Sequence, residues 1–98
     1  MRFTFRDNKL RKLYESEHGA KRWPPEVVKL FFQVMGVIAS ASDLNDIRSF
    51  KSLRLEKLKG NRQHQHSLRL NDRWRLIIEI DSSGTAVSIL VVEIVDYH

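Results

Sequence analysis

Ninety-eight residues with 42% hydrophobic content suffice for one domain, residues 1–98, with a modest core. The absence of cysteine excludes a disulfide framework and a zinc–thiolate site. The net charge of +5 points to an acidic or polyanionic partner. The apolar run from Leu30 to Ala41 falls short of the roughly 20 residues of a membrane span. Met1-Arg-Phe-Thr-Phe-Arg6 lacks the charged-then-apolar order of a signal peptide, so a cytoplasmic protein with no membrane association is expected.

In chain order, Met1 to Phe5 alternates and reads as a short strand with Phe3 and Phe5 on one face. Asp7 or Asn8 can cap a helix holding Leu10, Leu13 and Tyr14, with Gly19 as its stop. Trp23-Pro24-Pro25 opens the main core helix. Its broad stripe of Val27, Val28, Leu30, Phe31, Val34, Met35, Val37 and Ile38 ends near Ala41. Ser42-Asp43 can cap a short helical turn with Leu44 and Ile47. Leu53 to Leu58 reads as a strand, residues 59–63 as a loop, and Ser67 to Leu70 as the next strand. Asn71-Asp72 is a hairpin turn. Arg73 to Ile80 follows as a strand, Ser82-Ser83-Gly84 as a turn, and Ala86 to Val95 as the last strand. The order β-α-α-β-β-β-β predicts an α+β fold, with two N-terminal helices on one face of a small, mainly antiparallel sheet.

The charge is unevenly placed. Residues 51–75 carry eight Lys/Arg against two Asp/Glu, whereas residues 76–98 carry four acids and no Lys/Arg. In the strand from Arg73, a period of two sets Trp74, Leu76, Ile78 and Ile80 under the helices and Arg73 and Arg75 on the open face. Lys57 and Lys59 share a parity and a face if their strand runs that far. Such cations suit a phosphate backbone, and they equally suit salt bridges to Glu79, Glu93 or Asp96. The sequence ends on Asp96-Tyr97-His98, three polar side chains after a rigid apolar strand. Imidazole can act as general acid or base, a phenol can donate a hydrogen bond or stack on a base, and a carboxylate can orient either partner. His64 and His66, two residues apart, would share a strand face, but no third ligand is near, so no metal is expected. No glycine-rich nucleotide loop and no G-x-S-x-G elbow is present.

Three blocks carry a resemblance: Leu55-Glu-Lys-Leu-Lys-Gly-Asn-Arg62, Ser67-Leu-Arg-Leu-Asn-Asp-Arg-Trp-Arg-Leu76 and Val92-Glu-Ile-Val-Asp-Tyr-His98. Together and in this order they resemble the HigB branch of the RelE/ParE toxins, the plasmid-maintenance killer proteins. The resemblance implies the toxin of a type II toxin–antitoxin pair. It implies a ribosome-dependent mRNA endonuclease that works without metal or cofactor by attack of the ribose 2′-OH on the adjacent phosphate. It implies as partners a HigA-like antitoxin with a helix-turn-helix domain, the ribosomal A site and mRNA, with operator DNA reached only through the antitoxin. Carried onto this chain, Lys59 and Arg75 would hold phosphate charge, and Asp96, Tyr97 and His98 would match the terminal catalytic group. Lys57, Arg62 and Arg73 would contact RNA. Some members place a catalytic histidine three residues before the lysine of the L-K-G block. Here that position is Glu56, a base if desolvated. Two alternatives stay open: a ParE-like gyrase poison that binds protein and cuts nothing, and an inactive toxin kept as a corepressor with its antitoxin.

Overall fold

In the computed structural model, which describes residues 1–62 and 64–97, a five-stranded sheet carries three helices on one face. The strands are β1 (Arg2–Phe5), β2 (Glu56–Lys57), β3 (Gln65–Arg69), β4 (Trp74–Asp81) and β5 (Ser88–Asp96). The helices are α1 (Asn8–Ser16), α2 (Pro25–Ser40) and α3 (Leu44–Arg48). The spatial strand order is β1-β5-β4-β3-β2. All pairings are antiparallel except β1 with β5, which is parallel. The α+β expectation therefore holds.

Local chemistry accounts for the helix ends. The Asp7 carboxylate accepts from the Lys9 backbone N–H at 2.7 Å and starts α1. That helix stops two residues before the expected Gly19. Glu17 turns left-handed, with φ 57°, and its N–H donates to the Leu13 carbonyl. Pro25 opens α2, where its missing N–H costs nothing. Asp43 caps α3 through the Asp46 N–H.

Between helices and sheet lies the core: Leu10 and Leu13 from α1, Val27, Phe31, Met35 and Ile38 from α2, Ile47 from α3. They meet Leu68, Leu76, Ile78, Ile89 and Val91 from the sheet. Trp23 packs at the edge of this cluster and Met35 is fully buried, as expected of core residues. Tyr14 stacks edge-on against Phe3 at 5.5 Å, which pins α1 to β1.

Two strands differ from expectation. The segment expected as a strand from Leu53 contains a 3₁₀ turn at Lys51–Leu53 and then Arg54 at φ 46°. This left-handed residue interrupts the extended chain, so β2 keeps only Glu56 and Lys57 as a short sheet edge. In β5, Ile77 pairs with Glu93 but Ile78 pairs with Val91, which leaves Val92 as a bulge. The bulge inverts the alternation. Ile89, Val91 and Ile94 all face the helices although their spacing is not uniformly even. Beyond it, Glu93 and Val95 face away from the helices, opposite Ile77 and Arg75.

Candidate active site

The open face of the sheet collects the side chains of Glu56, Gln65, Ser67, Arg69, Arg75, Ile77, Glu79, Glu93 and Val95. Arg75 sits between Arg69 on β3 and Val95 on β5. Its Nη1 donates to the carbonyls of Asn71, at 2.5 Å, and Trp74, at 3.1 Å. These bonds come from the β3–β4 connection, which the Asn71 side chain shapes by accepting from the N–H groups of Arg73 and Trp74. The Tyr97 N–H donates to the Arg73 carbonyl at 2.5 Å, continuing the β4–β5 ladder past Asp96. The bulge and this bond bring the Tyr97 ring to the Arg75 face. The guanidinium carbon lies 6.0 Å from the ring centroid, and Tyr97 is 40% exposed.

The other cations of this face are already neutralised. Arg69 pairs with Asp72 and Arg73 with Asp96, the latter at 3.1 Å. Arg62 reaches from its 3₁₀ turn to Glu93 at 2.9 Å and to the Gln65 carboxamide oxygen at 2.9 Å. It thus bridges β3 and β5 across β4, next to Ile77, which is fully buried although it faces away from the helices. Among the described residues Arg75 has no carboxylate partner. Its positive charge is oriented by carbonyls and a ring but is not cancelled.

Beyond the Arg62 strap lies a second hollow of about 440 Å³, lined by Thr4, His64, Glu79, Asp81, Ser88 and Leu90 among others. Glu79 accepts from Arg6 at 2.6 Å and from Gln65 at 3.0 Å, with His64 Nε2 at 3.6 Å. The Gln65 amide and then the Arg6 guanidinium hold its carboxyl below the ordinary value. Sequence reading gave Arg6 and Glu79 no joint role, because only the sheet order brings β1 and β4 this close. A larger hollow of about 600 Å³ lies between α2 and α3 against Phe50. Its single ionisable side chain, Asp46, is already engaged with the Ser42 N–H.

The structure separates several residues that the sequence grouped. Glu56 is exposed on the open face, opposite Ser67. Strand spacings place it about 12 Å from Arg75, two strands across and two residues along. Lys57 leaves by the other face, opposite His66, and so does not share the Arg75 face. Lys59 lies beyond the ladder, which ends with the Leu58 N–H on the Gln65 carbonyl, so the expected Lys57–Lys59 face does not form. Lys59 is exposed and, among the described residues, has no ion pair or hydrogen bond. His64 precedes β3 and meets Glu79 on the open face, whereas His66 faces the helix side beside Ile78, so the two histidines do not share a face. Among the described residues no three His, Asp or Glu side chains are placed to hold a metal. His98 lies outside the described residues.

The helices on one face of a mainly antiparallel sheet give the α+β architecture of a RelE-like toxin. The chain belongs to the HigB-like toxin family, described as RelE-like toxin of type II toxin-antitoxin system HigB, which it matches over residues 3–98. It is 28% identical over 79 residues to Toxin HigB-1 of Vibrio cholerae serotype O1, covering 81% of this chain and 83% of that protein. It is 25% identical over 79 residues to an uncharacterized protein of Haemophilus influenzae, covering 81% and 78%. A YoeB/ParE toxin from Agrobacterium tumefaciens shares the fold, with a TM-score of 0.57 over 100% of this chain and 99% of that one, at 14% identity. The protein is therefore a toxin of a type II toxin–antitoxin system, and its family implies an antitoxin partner. Among the described residues no helix is long and apolar enough to cross a membrane.

Proposed function

We propose that the protein is a ribosome-dependent mRNA endonuclease whose reacting phosphate docks at Arg75. The observation that carries this reading is the contrast among the open-face arginines. Arg62, Arg69 and Arg73 are held by carboxylates, whereas Arg75 is held by carbonyls and keeps its full charge toward solvent. An oriented guanidinium suits the charge that develops on a pentacovalent phosphate. The ribose 2′-oxygen attacks the adjacent phosphorus, the bond to the 5′-oxygen breaks, and a 2′,3′-cyclic phosphate is left. Tyr97 supplies a ring for base stacking and a hydroxyl for the departing oxygen. Lys59 contributes further positive charge, and Glu56 and His98 are the candidates to accept the 2′ proton. Asp96 fixes Arg73 and with it the end of β4. Glu56 is exposed on the free protein. This fits an enzyme that acts when the ribosome closes over it and orients the 2′-OH in line. The partners in this reading are the A site with its mRNA and a HigA-like helix-turn-helix antitoxin, in the cytoplasm.

Inducing the protein in bacteria and mapping mRNA 5′ ends tests the proposal. Cleavage within codons is expected, and it should disappear with Arg75→Ala. Intact mRNA accompanied by DNA breaks and an SOS response would instead establish gyrase poisoning, and a neutral growth phenotype would establish an inactive toxin.

A further inference from the structure

The side of the sheet away from Arg75 carries a second concentration of positive charge. Lys57 on β2 and His66 on β3 are directly paired across the edge of the sheet, which sets their Cβ atoms about 5 Å apart. Arg48 ends α3 close enough to act on the same imidazole. Lys57 and Arg48 are both exposed, and neither forms an ion pair among the described residues. Elsewhere on this molecule arginines have been given carboxylates, as Arg6, Arg62, Arg69 and Arg73 show. Here, among the described residues, Lys57 and Arg48 have no carboxylate in an ion pair, and the residue opposite Lys57 is a further ionisable base.

His66 itself is incompletely satisfied. Its Nδ1 is buried without a hydrogen-bond partner. A buried orphan acceptor is tolerated better than a buried orphan donor, so the neutral ring carries its proton on Nε2, the nitrogen that is not buried. Burial first, then Lys57 and Arg48, hold its pKa below 6.5. Its β4 neighbour, Ile78, is apolar, and no carboxylate is among the groups that act on it.

We propose that Arg48, Lys57 and His66 form an anion site for a backbone phosphate of RNA, at the edge of the sheet and on the opposite face from Arg75. The anion neutralises the two cations that act on the imidazole and accepts a hydrogen bond from Nε2. Its charge favours the imidazolium, so binding draws one proton from solvent onto the ring. Binding and protonation therefore reinforce each other, and the site tightens as pH falls. A nucleic acid is the polyanion favoured because Lys57 and His66 lie within the segment 51–75 that concentrates the basic residues, with Arg48 three residues before it. That the polyanion is RNA rests on the function proposed above; the anion site itself does not.

The test is an NMR titration of the His66 ring protons in the intact protein, at constant ionic strength. Inorganic phosphate, and separately a 2′-O-methyl oligoribonucleotide that cannot be cleaved, should each raise the His66 pKa, by on the order of one unit for an opposite charge at contact distance. In the Arg48→Ala/Lys57→Ala double variant the pKa without ligand should rise and the ligand-induced shift should vanish. Both changes are at exposed positions, so the fold is retained. Arg75→Ala should leave the shift intact, which separates this site from the reaction centre whether or not the protein cuts RNA. The proposal is overturned if chloride reproduces the shift, if the shift survives the double substitution, or if it is lost with Arg75→Ala. A response to phosphate but not to the oligonucleotide overturns the assignment to RNA.

Discussion

Two arginines face each other across the β3–β4 ladder, and their fates differ. Arg69 is closed off by Asp72, three residues along, while Arg75 is steadied by main-chain carbonyls that cannot cancel its charge. Replacing Arg75 with Ala should lower the mRNA cleavage rate by about 10²–10³-fold, the usual effect of losing one preorganised charge donor. The melting temperature should hardly move. Arg75→Lys should recover little, because an ammonium cannot donate to both carbonyls and still present a planar fork. At Tyr97 the ring and the hydroxyl can be separated. If stacking dominates, Tyr97→Phe keeps most of the cleavage and Tyr97→Ala loses it, as single-turnover rates on programmed ribosomes will show. Glu79 gives a stability prediction of definite sign. Its folded pKa is depressed below 4.5, so its contribution is full above that value and is lost as pH falls through the folded one. Glu79→Gln should therefore cost about 1 kcal/mol in urea unfolding at neutral pH, with the difference shrinking toward zero in strong acid.

At the level of elements, the main helices and the hairpin were legible because their signals are local: Asp7 and Asp43 as caps, Pro25 as an opener, even spacing from Trp74 to Ile80. The bulge at Val92 was not. In Ile89-Leu90-Val91-Val92-Glu93-Ile94-Val95 nearly every residue is apolar, so no alternation reveals where it changes phase. Yet if Val92 were paired with Ile77 instead of bulged, every later residue would change face and Tyr97 would turn to the helix side. Deleting Val92 should make the pairing continuous with the register unchanged on both sides, Ile78 with Val91 and Ile77 with Glu93, so Tyr97 should keep its NOE contacts with Arg75. A deletion variant that loses those contacts would refute this account of the site. The shortness of β2 was also hidden, because Arg54 adopts its left-handed φ without any Gly or Asn to announce it. Gly60, at φ +70°, has open space around a notional Cβ, so Gly60→Ala meets only backbone strain. It should cost about 1–2 kcal/mol in chemical denaturation. Ion-pair partners such as Arg62 with Glu93 were out of reach for a different reason: they depend on sheet order, not on spacing along the chain.

Considered whole, the molecule is two-sided. One side of the sheet is sealed under helices around Phe31, and the other carries no helix. The sealed side sets stability. Phe31→Ala should cost about 3–5 kcal/mol, and in a chain of this size each kcal/mol lowers the melting point by roughly 4–8 °C, so calorimetry should find the variant close to unfolding at growth temperature.

The parallel pairing of β1 with β5 has a temporal corollary. The fifth strand lies between the first and the fourth, so the earliest-made strand has no neighbour in the sheet until nearly the whole polypeptide has left the ribosome. Tyr97 follows that same late strand. A nascent chain thus acquires its complete sheet and the Tyr97 ring in the same late step.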